Sequence, residues 1–154
     1  MKRIVEKPFI FFWALIPLVI IIGRFLHDTT FDINVHDTYY IITYGGLTNL
    51  VSILLGLIGL GYWIFYYLKR KLSYRLNAIH ILITALGPIG IWIVSNFHRE
   101  IIPGSDFQSI MKDSEFNDNL LLLTFIILLL TILGQVIYLI NLVTAFLKSI
   151  KTKS

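Results

Sequence analysis

The chain has 154 residues, of which 56% are hydrophobic and 14% charged, with no cysteine and a formal net charge of +4. Without cysteine it has neither disulfides nor thiolate metal ligands. Its apolar residues fall in long uninterrupted runs rather than alternating or one-faced patterns, which places the chain in a lipid bilayer. The basic excess sits just outside those runs, where it orients membrane helices, and gives no reason to expect nucleic acid as a partner.

Four runs are long enough to cross about 30 Å of hydrocarbon, and they predict an all-α membrane protein: a single four-helix membrane domain over 1–154. The first span covers about 9–26 and contains Pro17; Arg24 near its end has a stem long enough to snorkel to the headgroups. A basic start before an apolar run also fits a signal peptide, but no small-residue cleavage site follows Gly23 and the segment continues into Arg24-Phe25-Leu26, so a retained anchor is expected. An outer loop over 27–38 leads to a second span over about 39–68, longer than a straight crossing needs. After a cytoplasmic loop at 69–75 comes a third span over about 76–97, with Gly87-Pro88 near its middle. A second outer loop at 98–119 precedes the fourth span, about 120–147. Within that loop Pro103-Gly104-Ser105 reads as a turn, and Phe107, Ile110 and Met111 as the apolar side of a short surface helix.

Charge placement sets the expected orientation. Lys2, Arg3, Lys7, Lys69, Arg70, Lys71, Arg75, Lys148, Lys151 and Lys153 fall at the two ends and the middle loop. Those segments are expected to be cytoplasmic. Only Arg24, Arg99 and Lys112 lie on the other side, with Asp28, Asp32, Asp37, Glu100, Asp106, Asp113, Glu115 and Asp118.

Polar and small residues inside the spans are expected to face protein, because each polar group is costly against lipid. Asn77, His80, Thr84, Gly87 and Ser95 recur at helical spacing on the third span, and Thr131, Gln135, Tyr138 and Asn141 on the fourth. Each stripe reads as a helix-packing face, of a kind that interhelical hydrogen bonds explain without any substrate. Gly45, Gly46, Gly56, Gly59 and Gly61 on the second span remove bulk so that another backbone can approach. His80 is open to three readings: a hydrogen-bonded packing residue, a titrating group or a cofactor ligand.

The segment Phe31-Asp32-Ile33-Asn34-Val35-His36-Asp37-Thr38-Tyr39-Tyr40 resembles the D-I-x-x-H-D-T-Y-Y signature of the haem-copper oxidase catalytic subunit, cytochrome c oxidase subunit I, at the start of that family's tenth helix. The similarity extends in order over its last four transmembrane helices: Phe11 to Gly23 resembles the ninth helix, Gly56, Gly59, Gly61 and Trp63 the tenth, Leu76 to His80 the start of the eleventh, and the span with Gly134 the twelfth. Where the family has its two haem-ligating histidines, this chain has Tyr44 and Gly46, and no segment corresponds to the helices bearing the copper ligands and redox tyrosine. The paired arginines of the family are absent too, leaving Arg99 alone. The chain is therefore not expected to reduce oxygen by itself, and haem is not expected. Tyr44 and His80 remain the candidate haem contacts, Tyr44 as a phenolate ligand. Resemblance further carries a magnesium or manganese site to Asp32, His36 and Asp37, donor types that suit such ions. Against that stands hydration of a loop, or capping of the second helix by Asp37 or Thr38; were the stretch helical, Asp32 and His36 would share a face.

Three functions are expected from these residues. The first is a non-catalytic accessory or assembly component of a respiratory-type complex, in the bacterial inner (cytoplasmic) membrane with the signature on the outer side, whose partners are the bilayer and another integral membrane protein or a second copy of the chain. The second is a haem- or metal-binding redox component completed by another chain. The third is a small transporter or channel using His80, Gln135 and Asn141, which lacks an intramembrane acid or an inverted repeat to support it.

Overall fold

The computed structural model describes residues 2–26, 30–35, 38–102, 104 and 106–151, with backbone alone for 2–3, 31–35, 38–40 and 149–151. Helix α1 (Lys2–Glu6) is followed by α2 (Pro8–Phe25), strands β1 (Thr30–Val35) and β2 (Thr38–Thr43), α3 (Tyr44–Tyr67), α4 (Tyr74–Ser95) and α5 (Phe107–Lys151). Four of these helices, α2 to α5, are long and apolar enough to cross a membrane. Large apolar side chains such as Ile21, Leu57, Leu82, Trp92, Leu121 and Phe125 are exposed along them, as suits helices whose solvent is hydrocarbon. The chain is an all-α integral membrane protein carrying one short two-stranded ribbon.

Two compact units are present, one formed by 1–72 with 145–154 and the other by 73–144. In the first, Pro8 opens α2, where its missing N–H costs nothing. Helices α2 and α3 then pack through glycines: a Cβ on Gly59 would overlap the Trp13 indole, and one on Gly23 would overlap Thr48 Oγ1. Gly56 is less crowded, its nearest neighbour being Ile16 Cδ1 at 3.9 Å, and its carbonyl accepts from Trp13 Nε1 at 3.4 Å. Phe12 stacks on Tyr62 at 5.7 Å, both fully buried. Around them Phe9, Trp13, Trp63, Tyr66 and Tyr67 form a chain of ring contacts, with Lys7 Nζ 5.1 Å above the Tyr66 ring. Aromatic rings beside a lysine are the side chains that settle at a membrane–water boundary.

Helix α3 starts at Tyr44, not near Tyr39. Residues 38–43, Thr-Tyr-Tyr-Ile-Ile-Thr, are all β-branched or aromatic. They pair antiparallel with β1, Thr30 opposite Thr43 and Asp32 opposite Ile41. The N-cap is accordingly Thr43, whose side chain accepts from Gly46 N–H at 3.2 Å, and Thr38 opens a strand instead of capping a helix. At the other end Lys69 takes a left-handed φ of 53°, and the bonds Lys69 N–H to Tyr66 O (3.0 Å) and Arg70 N–H to Phe65 O (2.9 Å) close a Schellman motif with lysine in the usual glycine position.

In the second unit α5 also departs from expectation. Its helix starts at Phe107, so the residues read as a separate surface helix and loop form its first turns. The chain breaks before it at Gly104, with φ of 91°, and the Asp106 carbonyl accepts from Ser109 and Ile110 to open the helix. No glycine or proline interrupts the sequence from 107 to 133.

Candidate functional site

Inside an apolar span the residues with chemistry to offer are the few polar ones, and α4 and α5 bring theirs together. His80 on α4 is fully buried, and its Nε2 lies 3.1 Å from Gln135 Oε1 on α5. An amide oxygen only accepts, so Nε2 is the donor. The Gln135 amide nitrogen in turn donates to Thr84 Oγ1 at 3.2 Å and, more weakly, to the Thr131 carbonyl at 3.5 Å. The Tyr138 ring stacks on the imidazole at a centroid distance of 5.0 Å and an interplanar angle of 21°.

Toward the start of α4 lies a second link of the same face. Asn141 is 1% exposed and Asn77 3%. Asn141 Nδ2 donates to Asn77 Oδ1 at 2.7 Å, while its Oδ1 accepts from Ser73 N–H at 3.0 Å. The N-cap Ser73 makes no side-chain cap of its own. Asn141, one helix away, thus supplies an acceptor at a helix end whose N–H groups have no intrahelical partner.

Beyond His80 the two helices interlock by size. A Cβ on Gly87 would overlap Thr131 Oγ1, and one on Gly134 would come within 2.8 Å of Ile83 Cγ2. Thr131 satisfies its own hydroxyl on the Ile127 carbonyl at 2.8 Å. Among the described residues no buried side-chain nitrogen or oxygen lacks a partner. Chemically, this face is two sets of side-chain hydrogen bonds, His80–Gln135–Thr84 and Ser73–Asn141–Asn77, that hold the two helices in one register.

The other candidates are placed differently. Tyr44 is the first residue of α3, and its carbonyl accepts from Thr48 Oγ1 at 2.9 Å. It belongs to the first unit and His80 to the second. As a haem ligand His80 does not fit as it stands, because Gln135 holds its Nε2 and Tyr138 covers a ring face. Asp32 lies in β1, so the shared helical face with His36 does not form; its side chain, like all of His36 and Asp37, lies outside the described residues. Among the described residues no group of three His, Asp or Glu side chains stands together to hold a metal ion. Gly45 and Gly46 line a cleft between α2 and α3. Gly61 is half-buried on α3.

Two features are not apparent from sequence. One is that cleft. The other is a clamp around Arg99: its Nη1 bonds Asp113 at 3.0 Å, its guanidinium lies 3.9 Å above the Phe116 ring, and its backbone N–H and C=O are both bonded by the Asn117 side chain at 3.0 and 2.9 Å. A signal for it exists, since Asp113, Phe116 and Asn117 fall on one helical face, but it requires reading that stretch as helix. No protein family, curated protein or solved structure matches the chain.

Proposed function

We propose that this chain is a non-catalytic integral-membrane component of a respiratory-type assembly, related in design to the haem-copper oxidase catalytic subunit and working as a scaffold. The observation that carries the reading is the state of His80. This fully buried intramembrane imidazole is held through its Nε2 by Gln135 and stacked on by Tyr138 at the α4–α5 contact. Polar residues spent on helix register are what a structural subunit requires. The oxidase-type link draws its support from the Asp32–Tyr40 signature, and the replacement of both haem-ligand positions by Tyr44 and Gly46 supports a role without oxygen chemistry. The basic residues bordering the spans support a topology with both termini cytoplasmic and the signature on the outer face of a bacterial inner membrane.

The test is purification of the tagged chain from its native membrane in mild detergent, with identification of the bound proteins by mass spectrometry. Stoichiometric recovery of respiratory subunits is the expected outcome. Recovery of the chain alone, or only with unrelated membrane proteins, contradicts the proposal.

A further inference from the structure

We infer that the cleft between the end of α2 and the start of α3 is a binding site for a phosphate group, of the kind carried by a phospholipid headgroup. The cleft holds about 370 Å³ and is lined by Ile20, Gly23, Arg24, Thr43, Gly45, Gly46, Thr48 and Asn49. That volume is at the small end of ligand pockets. Its lining is rich in donors. Arg24 brings a guanidinium that makes no ion pair or hydrogen bond with the other described residues, and Asn49 brings a side-chain amide. Thr43 Oγ1 already accepts from Gly46 N–H, so its own proton is left to donate. Thr48 spends its proton on the carbonyls of Tyr44 and Gly45. No carboxylate lines the cleft among the described residues.

A cleft whose described lining brings an arginine, an amide and a hydroxyl, with no carboxylate among the described residues, suits an anion with several acceptor oxygens. Phosphate is the group that the planar guanidinium grips through two parallel bonds. The site does not depend on the end of α3, because the Gly46 N–H there is already capped. Two structural features keep the cleft open. Gly45 and Gly46 place no side chain in it, and Gly23, where a Cβ would overlap Thr48, lets α2 and α3 approach within its lining. Arg24 lies in the last turn of an apolar helix, where a snorkelling side chain meets headgroups. Ile20, one turn further in, adds an apolar wall along which an acyl chain can run.

The full chain, purified in a phosphate-free detergent, is titrated with phosphatidylglycerol by native mass spectrometry and with inorganic phosphate by calorimetry. One lipid is expected to be retained per chain, with affinity falling roughly tenfold or more in Arg24→Gln. Arg24→Lys is expected to lose less, keeping the charge without the fork. Lys7→Gln, at the other end of α2, is the control and is expected to bind like the parent. Lipid binding alone assigns the site to a headgroup, and saturable heat from inorganic phosphate that Arg24→Gln abolishes assigns it to the free anion; both support a phosphate site. Equal retention by the parent and a helical Arg24→Gln overturns it. Should Arg24→Gln fail to fold, Asn49→Ala removes an exposed amide at little structural cost, and unchanged binding in that variant overturns the inference equally.

Discussion

Asn141 bridges two groups that its own helix does not need satisfied, the Ser73 N–H and the Asn77 amide oxygen. Replacing it by alanine removes both bonds in an apolar setting, where interhelical hydrogen bonds contribute about 1–2 kcal/mol each at most. Asn141→Ala is therefore expected to destabilise the folded chain by about 1–2 kcal/mol, read as a lower midpoint in thermal unfolding in detergent; an unchanged midpoint would show that water replaces the amide. The glycines of α3 give a sharper contrast. Gly59→Ala drives a methyl into the Trp13 indole, whereas Gly56→Ala meets nothing nearer than 3.9 Å. The first is expected to cost about 1–3 kcal/mol as overpacking and the second to be near neutral or slightly stabilising, and equal midpoints for the two variants would contradict the described α2–α3 contact. At this scale the polar residues are legible from sequence, because Asn, His and Gln stand out in an apolar run. Their pairing is not, since spacing on one helix leaves open which residue of another it meets. Trp13 is not legible at all: in an aromatic-rich run nothing marks the one ring that fills the space above Gly59.

The elements are readable where the composition is uniform and misleading where it changes. Apolar runs mark α2, α4 and most of α3 because about 20 residues without charge have few other uses. Residues 39–43 are as apolar as the first turns of α3, so hydropathy runs straight through the point where β2 gives way to the helix; the Thr43 cap and the β-branched composition carry the boundary instead. At α5 the difference runs the other way. Asp113 to Asn119 are polar enough to read as loop, yet the helix continues through them, with the Arg99 clamp covering one side. A 45-residue helix is about 68 Å long, far more than the hydrocarbon core, so its first turns stand outside the bilayer even when tilted. Spin labels on Gln108→Cys and Ile140→Cys are expected about 48 Å apart at about 1.5 Å per residue. A markedly shorter or broad distance distribution would mean that the helix breaks near the membrane boundary.

Over the whole molecule, the fold class comes from hydropathy and the expected orientation from charge, two signals independent of the oxidase-like signature. Because the chain has no cysteine, single reporters can test the orientation without background. An impermeant maleimide applied to intact cells is expected to label Glu115→Cys and to leave Lys71→Cys unlabelled until the membrane is opened; the reverse pattern would invert the topology. Function is legible in the sequence only as an expectation drawn from the resemblance of residues 31–40 to a family signature, since a site's chemistry depends on what a histidine touches and not on its position in the chain. The scaffold role therefore rests on the contacts of His80. The most direct measurement is the visible absorption spectrum of the chain purified from haem-replete cells. A spectrum without a Soret band is predicted, because Gln135 and Tyr138 already occupy His80. A stoichiometric Soret band that disappears in His80→Ala or Tyr44→Phe would contradict it.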